Sequence, residues 1–162
     1  WSRQDEFLPP EQLRMHNDAL IFYVENQGVV QWGIPADELK SDDPSVVVES
    51  VDDASQWIPQ TDNVSKFAIY MLGYTLAFAD GGFWMYGYAK PSLVEILVSR
   101  LPMLDFPTTW WTQTRLLGYD DLIVAIDGTD HVHARATSKA SLEAFDTLTT
   151  RDTFDTYASS DD

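Results

Sequence analysis

From Ala19 to Ile34 the chain reads Ala-Leu-Ile-Phe-Tyr-Val-Glu-Asn-Gln-Gly-Val-Val-Gln-Trp-Gly-Ile. Two apolar runs, rich in β-branched and aromatic residues, flank a polar break at Glu25-Asn26-Gln27-Gly28. Asn and Gly accept the positive φ angles of a tight turn, so the pattern predicts a buried β-hairpin. Val46-Val47-Val48 predicts a third strand. Trp57-Ile58-Pro59 reads as a connection, with Trp57 anchoring it to the core. The period then changes. Val64, Phe67, Ala68, Met71, Leu72, Thr75, Phe78 and Ala79 recur at helical spacing, behind a cap supplied by Thr61, Asp62 or Asn63. Ile69, Tyr70, Leu76 and Ala77 make the other side apolar too, which predicts a helix covered on two sides. Gly81-Gly82 ends it.

The second half returns to mixed periods. Phe83 to Tyr88 reads as an aromatic strand, and Pro91 to Leu101 as a helix with Leu93, Ile96, Leu97 and Leu101 inward. Trp110 to Leu117 reads as a strand. Leu122–Ile126 and Val132–Ala136 form a hairpin across Asp127-Gly128-Thr129-Asp130. Ser138 caps a last helix that runs to Leu148. Ahead of all these, Pro9-Pro10 opens a short helix within residues 1–18. Strands joined by hairpins, with helices interspersed, predict an α+β fold. The boundaries are one domain over 1–148 and an acidic Thr/Ser/Asp-rich tail over 149–162.

The string Glu25-Asn26-Gln27-Gly28-Val29, followed by Trp32-Gly33, resembles a signature of the SUKH superfamily, many of whose members are read as bacterial immunity proteins. The close match covers residues 19–34. The later order of elements is similar but much less diagnostic, and the helical lead-in before the first strand is shorter than the family's. The resemblance implies a curved, mostly antiparallel sheet packed by helices, and a protein that binds and neutralises a toxin. It also implies that Glu25, Asn26, Gln27, Gly28, Trp32 and Gly33 build the hairpin before they bind anything.

Charge sharpens this picture. The 162 residues carry 26 acidic and 10 basic side chains, a formal net charge of −16. Residues 37–62 alone hold eight acids against one base. The sequence therefore predicts an acidic patch of Asp42, Asp43, Glu49, Asp52 and Asp53. Such a surface repels nucleic acid and anionic membranes and attracts a basic protein. Acidic surfaces also serve solubility alone, so charge by itself does not establish a partner.

Searching for catalysis yields little. The chain has no Cys, which removes disulfides, thiolate metal sites and cysteine nucleophiles. Nothing resembles a nucleophile elbow, a phosphate loop or a dinucleotide fingerprint. Adjacent acids such as Asp120-Asp121 sit in polar loops and read as solvated rather than as an acid–base pair. His131 and His133 alternate along a strand and share a face near Asp127 and Asp130. That set could hold a metal, but a solvent-facing pair beside a turn is the favoured reading, so no metal or other cofactor is expected. His16 reads as a surface residue. The aromatics around Trp84-Met85-Tyr86 read mostly as core. Trp110 and Trp111 cannot both face inward on a regular strand, so one of them is a candidate interface anchor.

These residues point to a non-enzymatic, cytoplasmic immunity protein that occludes the active site or substrate groove of a cognate toxin. The toxin would be basic, and a nuclease is one candidate. No apolar run approaches the ~20 residues of a membrane span. A regulatory or scaffolding protein-binding module is the alternative. A metal-dependent enzyme built on His131 and His133 ranks below both.

Overall fold

The computed structural model describes residues 5–25, 27–50, 52–53, 56–79, 81–104, 114–119, 121–150 and 152–160. Among these residues the chain forms eleven β-strands and three α-helices, with every strand pair antiparallel. The α+β class is as expected. The strands, however, form two sheets, and the chain divides into two compact units, residues 1–69 and 70–162. The division falls inside a helix, Val64–Phe78, so no Pro-, Gly- or Ser-rich linker marks it.

In the first unit, β1 (Asp5–Phe7) and β2 (Arg14–His16) share one edge of β3 (Ala19–Glu25), and the sheet continues through β4 (Gln31–Pro35), β5 (Val46–Glu49) and β6 (Trp57–Thr61). The predicted N-terminal helix is replaced by these two strands, with a single 3-10 turn at Pro10–Gln12 between them. The reason lies at Asn17 and Asp18, with φ of 44° and 60°. Two consecutive positive φ values make the two-residue hairpin turn that joins β2 to β3. Trp57 belongs to a strand rather than a connection, and its indole Nε1 donates to the Asn17 carbonyl at 2.6 Å. Pro59 is tolerated in β6 because that strand is an edge.

A register shift between Ile21 and Tyr23 on β3 allows Ile21, Phe22 and Tyr23 all to be buried. Their core closes on helix α1 (Val64–Phe78). Phe67 is fully buried, and the rings of Phe22, Tyr23, Trp32 and Phe7 lie 5.3 to 6.5 Å from it, mostly edge-on. The start of α1 is fixed with the same economy. Val64 N–H donates to the Pro44 carbonyl, Ser65 N–H to Asp43 Oδ1, and Lys66 N–H to Asn63 Oδ1. Phe67 N–H makes the first intrahelical bond, to Asn63 O, so the three N–H groups of Val64, Ser65 and Lys66, which have no partner within the helix, are each satisfied from outside its ladder.

The second unit contains the other sheet, ordered β11 (Phe154–Ser159), β7 (Phe83–Ala89), β10 (His131–Ala136), β9 (Leu122–Asp127), β8 (Arg115–Tyr119). The stretch expected to be a tail thus supplies an edge strand, paired along β7 from Phe154↔Ala89 to Ser159↔Met85. The predicted strand at Trp110 begins at Arg115 among the described residues. One sheet face carries Met85, Ala89, Leu122, Val124, Ile126, Val132, Ala134 and Ala136. It is buried with Leu93, Val94 and Leu97 of α2 (Pro91–Arg100) and Leu142 and Phe145 of α3 (Lys139–Asp146). Ser138 caps α3 as predicted, accepting from Ser141 N–H at 3.2 Å.

Helix α1 departs from expectation. Ile69 and Leu76 of the second predicted side and Leu72 of the first lie about a turn apart and are 59 %, 49 % and 60 % exposed, whereas Tyr70 and Ala77 of the second side are buried, so the two predicted sides are each covered only in part among the described residues. No helix among the described residues is long and apolar enough to cross a membrane.

Phe67→Ala removes the ring on which four others converge, and is expected to cost about 3–5 kcal/mol. Urea denaturation followed by tryptophan fluorescence, to which buried Trp32 contributes with the chain's five other tryptophans, measures that loss.

Candidate partner interface

The signature residues occupy the β3–β4 turn and the strand that follows it. Glu25 folds its carboxylate back onto the turn, accepting from Gln27 N–H at 2.9 Å and Val29 N–H at 3.4 Å. Gly28 sits at φ +69°, and its N–H donates to the Glu25 carbonyl. Trp32 is buried against Tyr23. At Gly33 a Cβ would lie 2.9 Å from the Ala19 Cβ and 3.3 Å from the Leu20 carbonyl oxygen, so the position requires a residue without one. Gln27 is exposed, and Asn26 lies outside the described residues. Glu25, Gly28, Trp32 and Gly33 thus build the hairpin and its packing.

The predicted acids have different fates. Asp42 is exposed. Asp43 is also exposed, but its carboxylate holds the start of α1 through Ser65. Asp52 and Asp53 are exposed in the β5–β6 connection, where their N–H groups donate to Ser50 Oγ and Asp53 Oδ2 accepts from Gln56 Nε2 at 2.8 Å. The two pairs flank β5, whose four residues span about 13 Å. The fold therefore distributes them at opposite ends of a strand instead of gathering them beside one another.

Glu49 does not belong to that exposed set. It is 9 % exposed; one carboxylate oxygen lies 3.2 Å from His16 Nε2, and the other accepts from Gln31 Nε2 at 2.7 Å. Arg14 extends the chain by donating to Gln31 Oε1 at 2.9 Å. His16, read as a surface residue, is instead half-buried and meets the Trp57 ring edge-on. Glu49 is consumed as the centre of a polar network on the sheet face opposite Val46 and Val48, because a buried carboxylate must keep its acceptors occupied. Trp110 and Trp111 lie outside the described residues.

In the second unit, His131 and His133 are half-buried and do share a face, but as members of an aromatic ladder rather than as a solvated pair. Tyr86 stacks on His133 with centroids 5.1 Å apart and planes 10° off parallel, and Tyr88 stacks on His131 at 5.2 Å and 22°. Trp84 continues the ladder beside Tyr86, and Phe78 of α1 closes on His133 at 4.4 Å. These aromatics occupy the sheet face opposite the apolar core, against the expectation of core packing. The alternation that places them there is visible in the chain: aromatics at 84, 86 and 88, imidazoles at 131 and 133, in register. No group of three His, Cys, Asp or Glu side chains among the described residues is arranged to hold a metal ion.

Burial, with the neighbouring His131, lowers the His133 pKa to about 4, against an opposing pull from Asp127. The ring is therefore neutral near pH 7 and stacks without a charge to solvate. Nearby, a cavity of about 560 Å³ is walled by Leu76, Leu104, Leu122 and Ile123. Its two charged residues are already engaged, Arg135 with the Ala79 carbonyl and Asp121 with Ser141 Oγ.

Comparison with known protein families, curated proteins and solved structures finds no match to this chain.

Because the folded state holds His133 below its ordinary value of 6.5, the unfolded chain binds the extra proton as pH falls. Its contribution to stability is complete above about 6.5 and is lost progressively toward about 4. Thermal unfolding across that window should show a falling Tm, and His133→Phe should flatten the slope. An NMR titration of the His133 ring gives the midpoint directly.

Proposed function

We propose that this chain is a non-enzymatic binding protein of the immunity type, acting in the cytoplasm on a basic protein toxin. The reading is carried by the Glu25-to-Gly33 string: its resemblance to the SUKH signature implies a structural hairpin, and each described signature residue apart from exposed Gln27 has a structural role there. The net charge of −16 and the exposed carboxylates of Asp42, Asp52 and Asp53 support a basic partner. Inhibition by occlusion needs no reacting group. It needs a surface whose charge opposes that of the target and whose shape fills the groove.

In such a protein the exposed acids accelerate encounter, while contacts made in the bound state set the rate of release. Asp43 and Glu49 fit this role less well, since their carboxylates hold a helix start and a buried network, and the Asp53 carboxylate is engaged locally by Gln56.

Affinity capture from cells of the source organism, eluted with rising salt, tests the proposal. The expected outcome is one basic polypeptide that arrests growth when expressed alone and is silent when co-expressed with this chain. Replacing Asp42, Asp52 and Asp53 together by Asn should slow association and reduce its salt dependence. A captured polypeptide that is harmless on its own overturns the toxin reading in favour of a regulatory module.

A further inference from the structure

The aromatic ladder of the second unit ends in an open row that the immunity reading does not use. Asp155 on β11, Tyr88 on β7, His131 on β10 and Asp127 on β9 are successive register partners across four strands. Directly paired residues of an antiparallel sheet project from the same face. Tyr88 is 53 % exposed although it lies in an inner strand. One face of its ring is taken by His131, at 5.2 Å and 22°, which leaves the opposite face on the β11 side, where Asp155 is the paired residue.

Three carboxylates lie around this ring, against one exposed cation among the described residues, Lys90, two residues beyond Tyr88. Asp155 and Asp130 are exposed, Asp127 is half-buried and accepts from Thr114 Oγ1, and none of the three forms an ion pair among the described residues. A bare aromatic face beside an unneutralised carboxylate has the chemistry of a receptor for a planar cation.

We propose that the outer face of Tyr88, together with Asp155, is a docking site for an arginine side chain of a basic polypeptide. A guanidinium stacks flat on an aromatic ring while its edge donates to a carboxylate, and it sheds water more readily than an ammonium. Adjacent strands lie about 4.8 Å apart, so a cation over Tyr88 is within reach of the Asp155 carboxylate. Asp127 is three strand spacings from Asp155, about 14 Å, and contributes field rather than contact. The site stands whether or not the partner is a toxin.

Titration calorimetry with hexa-arginine and hexa-lysine peptides, at physiological salt, tests this assignment. Hexa-arginine should bind more tightly than hexa-lysine. Tyr88→Ala and Asp155→Asn should each weaken hexa-arginine at least about threefold, and Tyr88→Phe should retain it. Neutralising Asp42, Asp52 and Asp53 together should lower both peptides alike and leave the arginine preference intact. Equal binding of the two peptides overturns the proposal, as does unchanged hexa-arginine binding by both Tyr88→Ala and Asp155→Asn. Both positions are exposed, and circular dichroism verifies that each variant is folded.

Discussion

The burial of Phe67 sets the terms for the first unit. A ring with no exposure, met by Phe7, Phe22, Tyr23 and Trp32, needs its helix held at a fixed depth and angle. That requirement reaches backward through the chain. The first turn of α1 is anchored by the Pro44 carbonyl and the Asp43 carboxylate, and the loop that carries them is clamped by Glu38, which accepts from Ser45 N–H and Ser45 Oγ. Two acids that look like surface charge in the sequence are thereby spent on helix geometry. Carboxylates suit the task, since the orphan N–H groups of a helix start favour negative charge.

The same logic explains which acids remain outward. Glu49 sits in β5 and projects opposite Val48, onto a face where His16 and Gln31 can satisfy it. Asp42, Asp52 and Asp53 sit in loops at the two ends of that strand and stay exposed. Counting charges along residues 37–62 cannot separate these cases, because the period of a strand decides the side on which each carboxylate falls. The alternation Val46-Val47-Val48-Glu49 carries that information once the strand is extended by one residue.

Much of the fold was legible for a similar reason. The β3–β4 hairpin, the third strand, α1, α2, the β9–β10 hairpin and the Ser138 cap each rest on a local pattern with a local cause. Failures came where the cause was a partner far along the chain. Asn17-Asp18 is a turn only because Arg14–His16 finds β3, and Phe154–Ser159 is a strand only because β7 offers an edge. The aromatic ladder departs from the expectation for a third reason. Trp84, Tyr86 and Tyr88 look like core by hydrophobicity, but Met85, Gly87 and Ala89 occupy the interior side, and the rings must take the other. Of the residues that the resemblance at 19–34 singles out, Glu25, Gly28, Trp32 and Gly33 build the hairpin and its packing, and none of them locates a binding face.

Two kinds of acidic surface therefore act through different physics. The loop carboxylates at Asp42, Asp52 and Asp53 act over a Debye length, about 8 Å at physiological salt, and favour any basic partner without distinguishing arginine from lysine. Asp155 acts in contact, where Tyr88 supplies the geometry that a charge alone lacks. The ring stacked directly on Tyr88 is that of His131, while His133 stacks on Tyr86, one pair further along the ladder, and is held neutral near pH 7 by burial. Selectivity between guanidinium and ammonium follows from the Tyr88 ring rather than from the count of acids.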